Sequence, residues 1–155
     1  MNKFIKLTLC IAGPLVIGGI SGFATATSIT DWYLTINKPS FNPPNYLFGP
    51  VWTTLYILMG ISFFMILQAP INEFRKRAIM IFSIQLILNF CWSFIFFKFQ
   101  LLGSAFIEII MMWLSIILMI YIFQKINKTA AYLQIPYLLW VSFASILNGS
   151  IWYLN

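Results

Sequence analysis

Aromatic and amide side chains recur at helical spacing within long apolar stretches of this chain. Gln85, Asn89 and Ser93 are four residues apart, so they share one helix face. A second face, spaced by three and four residues, combines two large aromatic rings, a small alanine and an amide. It consists of Tyr137, Trp140, Ala144, Leu147, Asn148 and Ile151. Flat apolar rings with a few amides favour the binding of a hydrophobic small molecule.

Groups suited to proton transfer or metal binding are scarce. The sequence has no histidine, and its only carboxylates are Asp31, Glu73 and Glu108. This composition excludes histidine-based catalysis and leaves no metal or cofactor motif. Glu73 suits a helix N-terminus. Glu108 lies about 8 to 10 Å into its apolar stretch, within reach of the interface and of Lys98, and both a functional and a structural role stay open for it.

The elements that position these residues are predicted to be transmembrane helices. The chain is 61% hydrophobic and 8% charged, with a mean hydropathy of +0.92. Five apolar runs, at about 7–26, 47–69, 78–97, 101–123 and 130–154, are each long enough to cross a bilayer. We therefore predict an all-α membrane protein in which residues 1–155 form one domain, a single bundle of five transmembrane helices.

The basic residues indicate an orientation. If five helices alternate across the bilayer, one side receives most of the charge and the other only Lys38 and Lys98. The positive-inside rule then predicts a cytoplasmic N-terminus, with the C-terminus and the first loop outside. The net charge of +6 is explained by these short turns, so no nucleic-acid partner is expected. The residues on the basic side are Lys3, Lys6, Arg75, Lys76, Arg77, Lys125 and Lys128.

A segment rich in proline and aromatic residues, at about 28–45, links the first two spans. Pro39, Pro43 and Pro44 fix φ and disfavour the helical region for the residues before them, so the segment is stiff and extended. Asn45 is predicted to cap the following helix, with Pro50 near its first turn. We expect this segment to act as a lid beside a ligand pocket.

Helix geometry predicts one cavity beneath that lid. At 1.5 Å per residue, Trp52 lies about 8 Å inside the outer boundary, Asn89 about 12 Å and Trp140 roughly 20 Å. Trp52 and Tyr56, one turn apart, would form one wall, and Trp140 would lie near the floor. The alternative is that intramembrane polar and indole groups only join helices, at about 0.6 kcal/mol each, or mark an interfacial belt, as expected for Trp32 and Trp152.

The first apolar run allows two interpretations. Two lysines, an apolar stretch and Ala24-Thr25-Ala26 are typical of a cleavable signal peptide. Gly18, Gly22 and Ala26 instead form a small-residue ridge at four-residue spacing, suited to helix packing in lipid. We favour a retained helix. The ridge would pack within the bundle or between two copies.

Five segments occur together in one order and spacing. They read KPSFNPP at 38–44, FGPVWTTLY at 48–56, QLILNFCWS at 85–93, PYLLW at 136–140 and FASILN at 143–148. In these segments the chain resembles, over essentially its whole length, the translocator protein family. That family is also called tryptophan-rich sensory protein or peripheral benzodiazepine receptor.

The resemblance implies a five-helix membrane protein from a family whose members often form homodimers. High use of Ile, Phe, Lys and Asn favours a bacterial cell membrane as its location. The resemblance also implies a cavity that binds porphyrins such as protoporphyrin IX, as ligand or substrate without a resident cofactor, and benzodiazepine-type drug ligands. For some bacterial members it further implies light-dependent porphyrin breakdown, with Trp52 and Trp140 as participants. The implied binding wall consists of Tyr33, Trp52, Tyr56, Asn89, Phe90, Trp140, Ala144, Leu147 and Asn148.

Three classes of function follow. A binder or carrier of tetrapyrroles or lipids needs only an aromatic cavity. An enzyme that degrades porphyrin needs light and an indole near the pigment. A membrane scaffold or stress-response regulator needs no cavity ligand. The sequence favours binding, because it offers an aromatic cavity and lacks an acid/base pair.

Overall fold

The computed structural model describes residues 2–155, which form helices and short connections without any strand. Five segments are long and apolar enough to cross a bilayer: Lys3–Thr30, Asn45–Gln68, Glu73–Lys98, Leu102–Gln124 and Lys128–Leu154. This confirms the predicted five-helix membrane fold. The helices are α1 (Lys3–Thr30), α2 (Trp32–Thr35), α3 (Asn45–Gln68), α4 (Glu73–Ser93, continued by a π-helical turn at Phe94–Lys98), α5 (Leu102–Gln124), α6 (Lys128–Tyr132) and α7 (Ile135–Leu154).

The first helix is longer than the apolar run that predicted it. Its 28 residues correspond to about 42 Å. The helix reaches Thr30, so the start of the predicted 28–45 segment is helical, and within that segment Asp31 and 36–44 lack helix. Within the predicted ridge, a Cβ at Gly18 would overlap the Tyr56 ring, whereas Gly22 and Ala26 are exposed. Packing inside the bundle therefore accounts for the first ridge residue alone.

The start of α3 differs from the prediction. Asn45 is the first helical residue, and Pro44 occupies the N-cap position without a side-chain hydrogen bond. The expectation that Asn45 caps this helix is therefore wrong. Proline, which lacks an N–H, suits the end of the extended segment, because the first helical turn needs no donor there. By contrast, Asn72 caps α4 through its side chain, and Glu73 occupies the first turn as predicted.

The bundle has an unequal packing pattern. α1 packs along α3, and α5 packs against α4, α6 and α7, while the π-helical turn contacts α1. The backbones of α3 and α7 scarcely approach each other. The space between these two helices is therefore occupied partly by large side chains, and the remainder forms part of the cavity described below.

The two ends of the bundle differ in packing, and we name them by their connections. The basal half contains the start of α1 and the turns at 69–72 and 125–127. There the Phe63 and Phe82 rings stack with centroids 4.1 Å apart, and the Ser62 hydroxyl donates to the Ala130 carbonyl at 2.7 Å. Lys6 Nζ donates to the Leu67 carbonyl at 2.9 Å, which ties α1 to the end of α3. The loop half contains the 36–44 segment and the C-terminus.

Candidate functional site

An internal cavity of about 330 Å³ lies in the loop half. This volume falls within the range of small-molecule pockets. Its walls are α1, α3, the end of α4 with the π-helical turn, and α7. The lining residues are Leu15, Gly18, Gly19, Ser21, Gly22, Thr25, Ile29, Tyr33, Asn45, Phe48, Gly49, Trp52, Thr53, Tyr56, Trp92, Ser93, Phe96, Phe97, Trp140, Ala144, Leu147, Asn148 and Ile151.

A buried hydrogen-bond network closes the cavity toward the basal half. The Tyr56 hydroxyl donates to Asn89 Oδ1 at 2.6 Å, and Asn89 Nδ2 donates to the Tyr137 hydroxyl at 3.2 Å. That hydroxyl in turn donates to Met112 Sδ at 3.5 Å. Within a bilayer, polar groups must find partners inside the protein. The network therefore joins α3, α4, α5 and α7 and fixes the Tyr56 ring as the cavity floor.

Two indoles, from α3 and α7, form parts of the cavity wall. The Trp52 ring stacks on Tyr56 with centroids 5.5 Å apart and meets Tyr137 edge-on at 6.2 Å. The Trp140 ring lies 6.0 Å from Phe48, edge-on, and 5.6 Å from Phe143. Each indole is held by two neighbouring rings, so both present a fixed apolar surface to the cavity.

The predicted depths of the two indoles are in the wrong order. Trp52 contacts Tyr137. Tyr137 is about one helical turn deeper than Trp140, counted from the C-terminal end of α7, so Trp52 lies deeper than Trp140. The floor is formed by Tyr56 and Trp52, not by Trp140. The reason lies in the 36–44 segment, which starts beside Asn155 but reaches Phe143 at its Phe41, so that α3 begins deep in the bundle.

The 36–44 segment and α2 cover the cavity. Tyr33 is 3% exposed and donates through its hydroxyl to Asn42 Oδ1 at 2.6 Å. Burial raises the pKa of Tyr33 to about 12, above the ordinary value of a tyrosine hydroxyl. Lys38 Nζ donates to the Tyr33 and Ile36 carbonyls at 2.6 and 3.0 Å. These bonds hold the segment in place, and its action as a lid stays a prediction.

A second amide orients an indole above the floor. Trp92 Nε1 donates to Asn148 Oδ1 at 3.1 Å, and Asn148 Nδ2 donates to the Leu102 carbonyl at 3.1 Å. The Trp92 ring stacks on Phe96 with centroids 5.1 Å apart. α4, α5 and α7 are thereby joined at the cavity wall, as they are at its floor.

The structure brings most of the predicted binding wall to one cavity. Asn89 does not line it, since this amide lies behind Tyr56 in the floor network. Phe90 does not line it either and packs on Phe94 with centroids 4.8 Å apart. Contact of any of these residues with a ligand stays a prediction. The predicted residues that line the cavity are Tyr33, Trp52, Tyr56, Trp140, Ala144, Leu147 and Asn148.

Other lining residues were missed from the sequence. Ser21 and Thr25 of α1 are buried at four-residue spacing, a polar pair on one face that could have been noticed. Trp92 and Phe48 belong to segments used for the family resemblance, but were not assigned to the wall. Nothing in the sequence distinguishes Phe48 from an aromatic residue that faces lipid.

Glu108 is buried in α5 without a polar partner. It is 8% exposed, and neither carboxylate oxygen has a hydrogen-bond partner within residues 2–155. The suggested partner Lys98 is exposed and lies over the Phe94 ring, 6.0 Å from its centroid. The two residues therefore do not pair in the structure, and both a functional and a structural role for Glu108 stay open. Glu108 is not among the residues that line the cavity.

Comparison with known proteins identifies relatives along the whole chain. The model of the TspO/MBR family matches residues 10–154. The tryptophan-rich protein TspO of Chlorobaculum tepidum is 40% identical, with 100% of this chain and 99% of that protein covered. The protein of the same name from Archaeoglobus fulgidus is 41% identical, with 99% of each chain covered. The human translocator protein is 32% identical over 78% of this chain and 73% of its own.

Proposed function

The chain belongs to the TspO/MBR family, and we propose that it binds porphyrins such as protoporphyrin IX in the cavity of the loop half. Benzodiazepine-type drug ligands are proposed to occupy the same space. The observation that carries the proposal is the lining itself, in which Trp52, Tyr56 and Trp140 face the same cavity. The chain is an integral, multi-pass membrane protein, so its ligands are expected to be hydrophobic.

The chemistry of the lining suits a flat, largely apolar ring system. Aromatic faces supply offset-stacking and edge contacts to such a ligand. Polar groups are few, and those of Tyr56 and Asn148 are already engaged inside the protein. Such a wall would stabilise a ligand chiefly through apolar area, with orientation set by shape.

Light-dependent breakdown of the bound porphyrin is the second candidate activity. It is favoured by one observation, that Trp52 and Trp140 both line the same cavity. The reaction would need the bound pigment, light, dioxygen as oxidant and a nearby indole as electron donor or oxidation partner. No acid/base pair is required, in keeping with a chain that has no histidine.

The proposed setting is a bacterial cell membrane, with the basal half toward the cytoplasm. The start of α1, Arg75, Lys76 and Arg77 near the start of α4, and Lys125 all belong to that end. The positive-inside rule then places the 36–44 segment and the C-terminus outside. Homodimer formation is also proposed, on the family resemblance alone.

A titration with protoporphyrin IX tests binding and breakdown together. Tryptophan quenching is followed in the dark, and porphyrin absorbance is then followed under illumination. Trp52→Phe and Trp140→Phe are compared with Trp113→Phe as a matched control, because Trp113 donates to Ser142 at 2.7 Å and does not line the cavity. We expect the cavity variants to weaken binding by about tenfold or less, since each keeps a ring.

The outcomes separate the functional classes. Saturable binding with pigment loss in light, abolished in the cavity variants but not in Trp113→Phe, supports degradation. Saturable binding without such loss leaves a binder or carrier. If the wild-type protein shows no saturable binding, the cavity proposal fails for this ligand and a scaffold or regulatory role becomes the better account.

A further inference from the structure

The exposed part of the cavity lining is confined to one side. Lining residues contributed by α4, the π-helical turn and α7 are all buried or half-buried. The exposed lining residues belong only to α1 and α3. They are Gly19, Gly22, Asn45, Gly49 and Thr53. The cavity is therefore open between these two helices, on a face that looks into the bilayer.

The glycines of α1 and α3 fall into two kinds. A Cβ at Gly60 would lie 2.5 Å from the Ile11 Cα, and a Cβ at Gly18 would overlap the Tyr56 ring, so these positions require glycine for packing. A Cβ at Gly19, Gly22 or Gly49 would meet nothing within 4 Å. Close packing does not explain the absence of side chains at these three positions.

The two helices are in close contact in the basal half, whereas in the loop half both of them line the cavity. They are in close contact at Gly60 and Ile11, and the Tyr56 ring fills the space beside Gly18. Beyond that point no side chain at Gly19, Gly22 or Gly49 spans the gap. Gly22 lies about 12 Å before the end of α1 by helix rise, which places the opening within the hydrocarbon region rather than in water.

The aqueous end of the cavity is, by contrast, closed. The Asn37 amide donates to Asn155 Oδ1 at 3.0 Å, and Asn155 Nδ2 donates to the Asn37 carbonyl at 2.9 Å. Tyr33, bonded to Asn42, lies beneath this clamp and is buried. Entry from water would require several of these bonds to break, whereas entry from lipid requires none.

We propose that the gap between α1 and α3 at Gly19, Gly22 and Gly49 is a lateral portal through which hydrophobic ligands pass between the bilayer and the cavity. The ligand class is then molecules dissolved in the membrane, delivered from lipid rather than from water. This inference rests on the proposed function, since it concerns access to the same cavity.

Binding kinetics in lipid vesicles test the portal. Protein in vesicles is mixed with vesicles preloaded with protoporphyrin IX, and tryptophan quenching is followed in time for association and, after dilution into empty vesicles, for dissociation. The test protein is Gly22→Leu/Gly49→Leu, which places two side chains across the gap. Gly13→Leu is the matched control, because Gly13 is exposed, has nothing near its Cβ and does not line the cavity.

A blocked portal slows both the association and the dissociation of the ligand. We expect association and dissociation each to be at least about tenfold slower in the double variant, with Gly13→Leu like the wild type. Gly19→Leu provides a second obstruction if the double variant melts at a lower temperature than the control, and the same slowing is expected. If the double variant associates as fast as the wild type, or dissociates faster, the portal proposal is overturned. The proposed function would then stand, because the wild type still binds the ligand. Absence of wild-type binding would instead overturn the proposed function, and the portal with it.

Discussion

The basal and loop halves of this bundle are built from the same five membrane-spanning segments but differ in how closely their helices pack. In the basal half, helices approach until only glycine fits, as at Gly60 against the Ile11 backbone. Met59 and Ile66 on either side of it are fully buried. In the loop half, α1 and α3 line a cavity whose walls carry several aromatic rings. A close-packed base can thus support walls that leave space for a ligand.

The largest expected effect comes from the glycine that joins the basal helices. Gly60→Ala forces α1 and α3 apart, since the new Cβ would meet backbone atoms of Cys10 and Ile11 rather than a flexible side chain. We expect a loss of about 1 to 3 kcal/mol in stability, read as a clear drop in melting temperature in lipid or detergent.

The matched substitution in the loop half sharpens the contrast. Gly22→Ala places the same methyl group in open space, and alanine is the better helix former by about 1 kcal/mol. Its melting temperature should equal or exceed that of the wild type. A comparable drop in both variants would show that the two halves do not differ in packing as described.

A smaller effect is expected from the clamp at the aqueous end. Asn155→Ala removes two hydrogen bonds that link Asn155 to Asn37, at a surface position outside the bundle core. Exchange of backbone amides in 36–44 with deuterium should accelerate, while α3 and α5 exchange as before. Asn127→Ala is a suitable control, because its side chain accepts a bond at 3.0 Å from the Ala130 amide at the basal end. Unaltered exchange in 36–44 would mean that the clamp does not restrain this segment.

The fold was predictable from sequence because hydropathy alone sets the spans. Long apolar runs must be helical in a bilayer, and helical spacing then placed Ala144, Leu147 and Asn148 on one face. That face does line the cavity. Prediction of these features needs only local information, namely the length, polarity and periodicity of each run.

The errors arose where the arrangement depends on contacts distant in sequence. The depth of a side chain in the membrane, counted along its helix, assumes that every span begins at the same bilayer boundary. In the structure the 36–44 segment instead descends along α7 before α3 starts. Asn89 shares a face with the cavity residue Ser93, yet Tyr56 covers it. Likewise, Glu108 and Lys98 have similar depths in the sequence, but in the structure Lys98 lies over the Phe94 ring and the Glu108 oxygens have no hydrogen-bond partner within residues 2–155. Composition and periodicity do not predict such contacts between residues that are distant in sequence.

Hydrogen–deuterium exchange of the membrane-embedded protein, with and without saturating protoporphyrin IX, tests the difference between the two halves most directly. The account predicts that the ligand slows exchange in 19–29 and the first turns of α3, which line the cavity, and in 36–44, which is bonded through Asn42 to the lining residue Tyr33. Exchange around Gly60, Phe82 and Phe123 should be slow already and unaffected by ligand. Protection confined to the basal half, or protection spread evenly along all five helices, would contradict a cavity that binds its ligand on a preformed base.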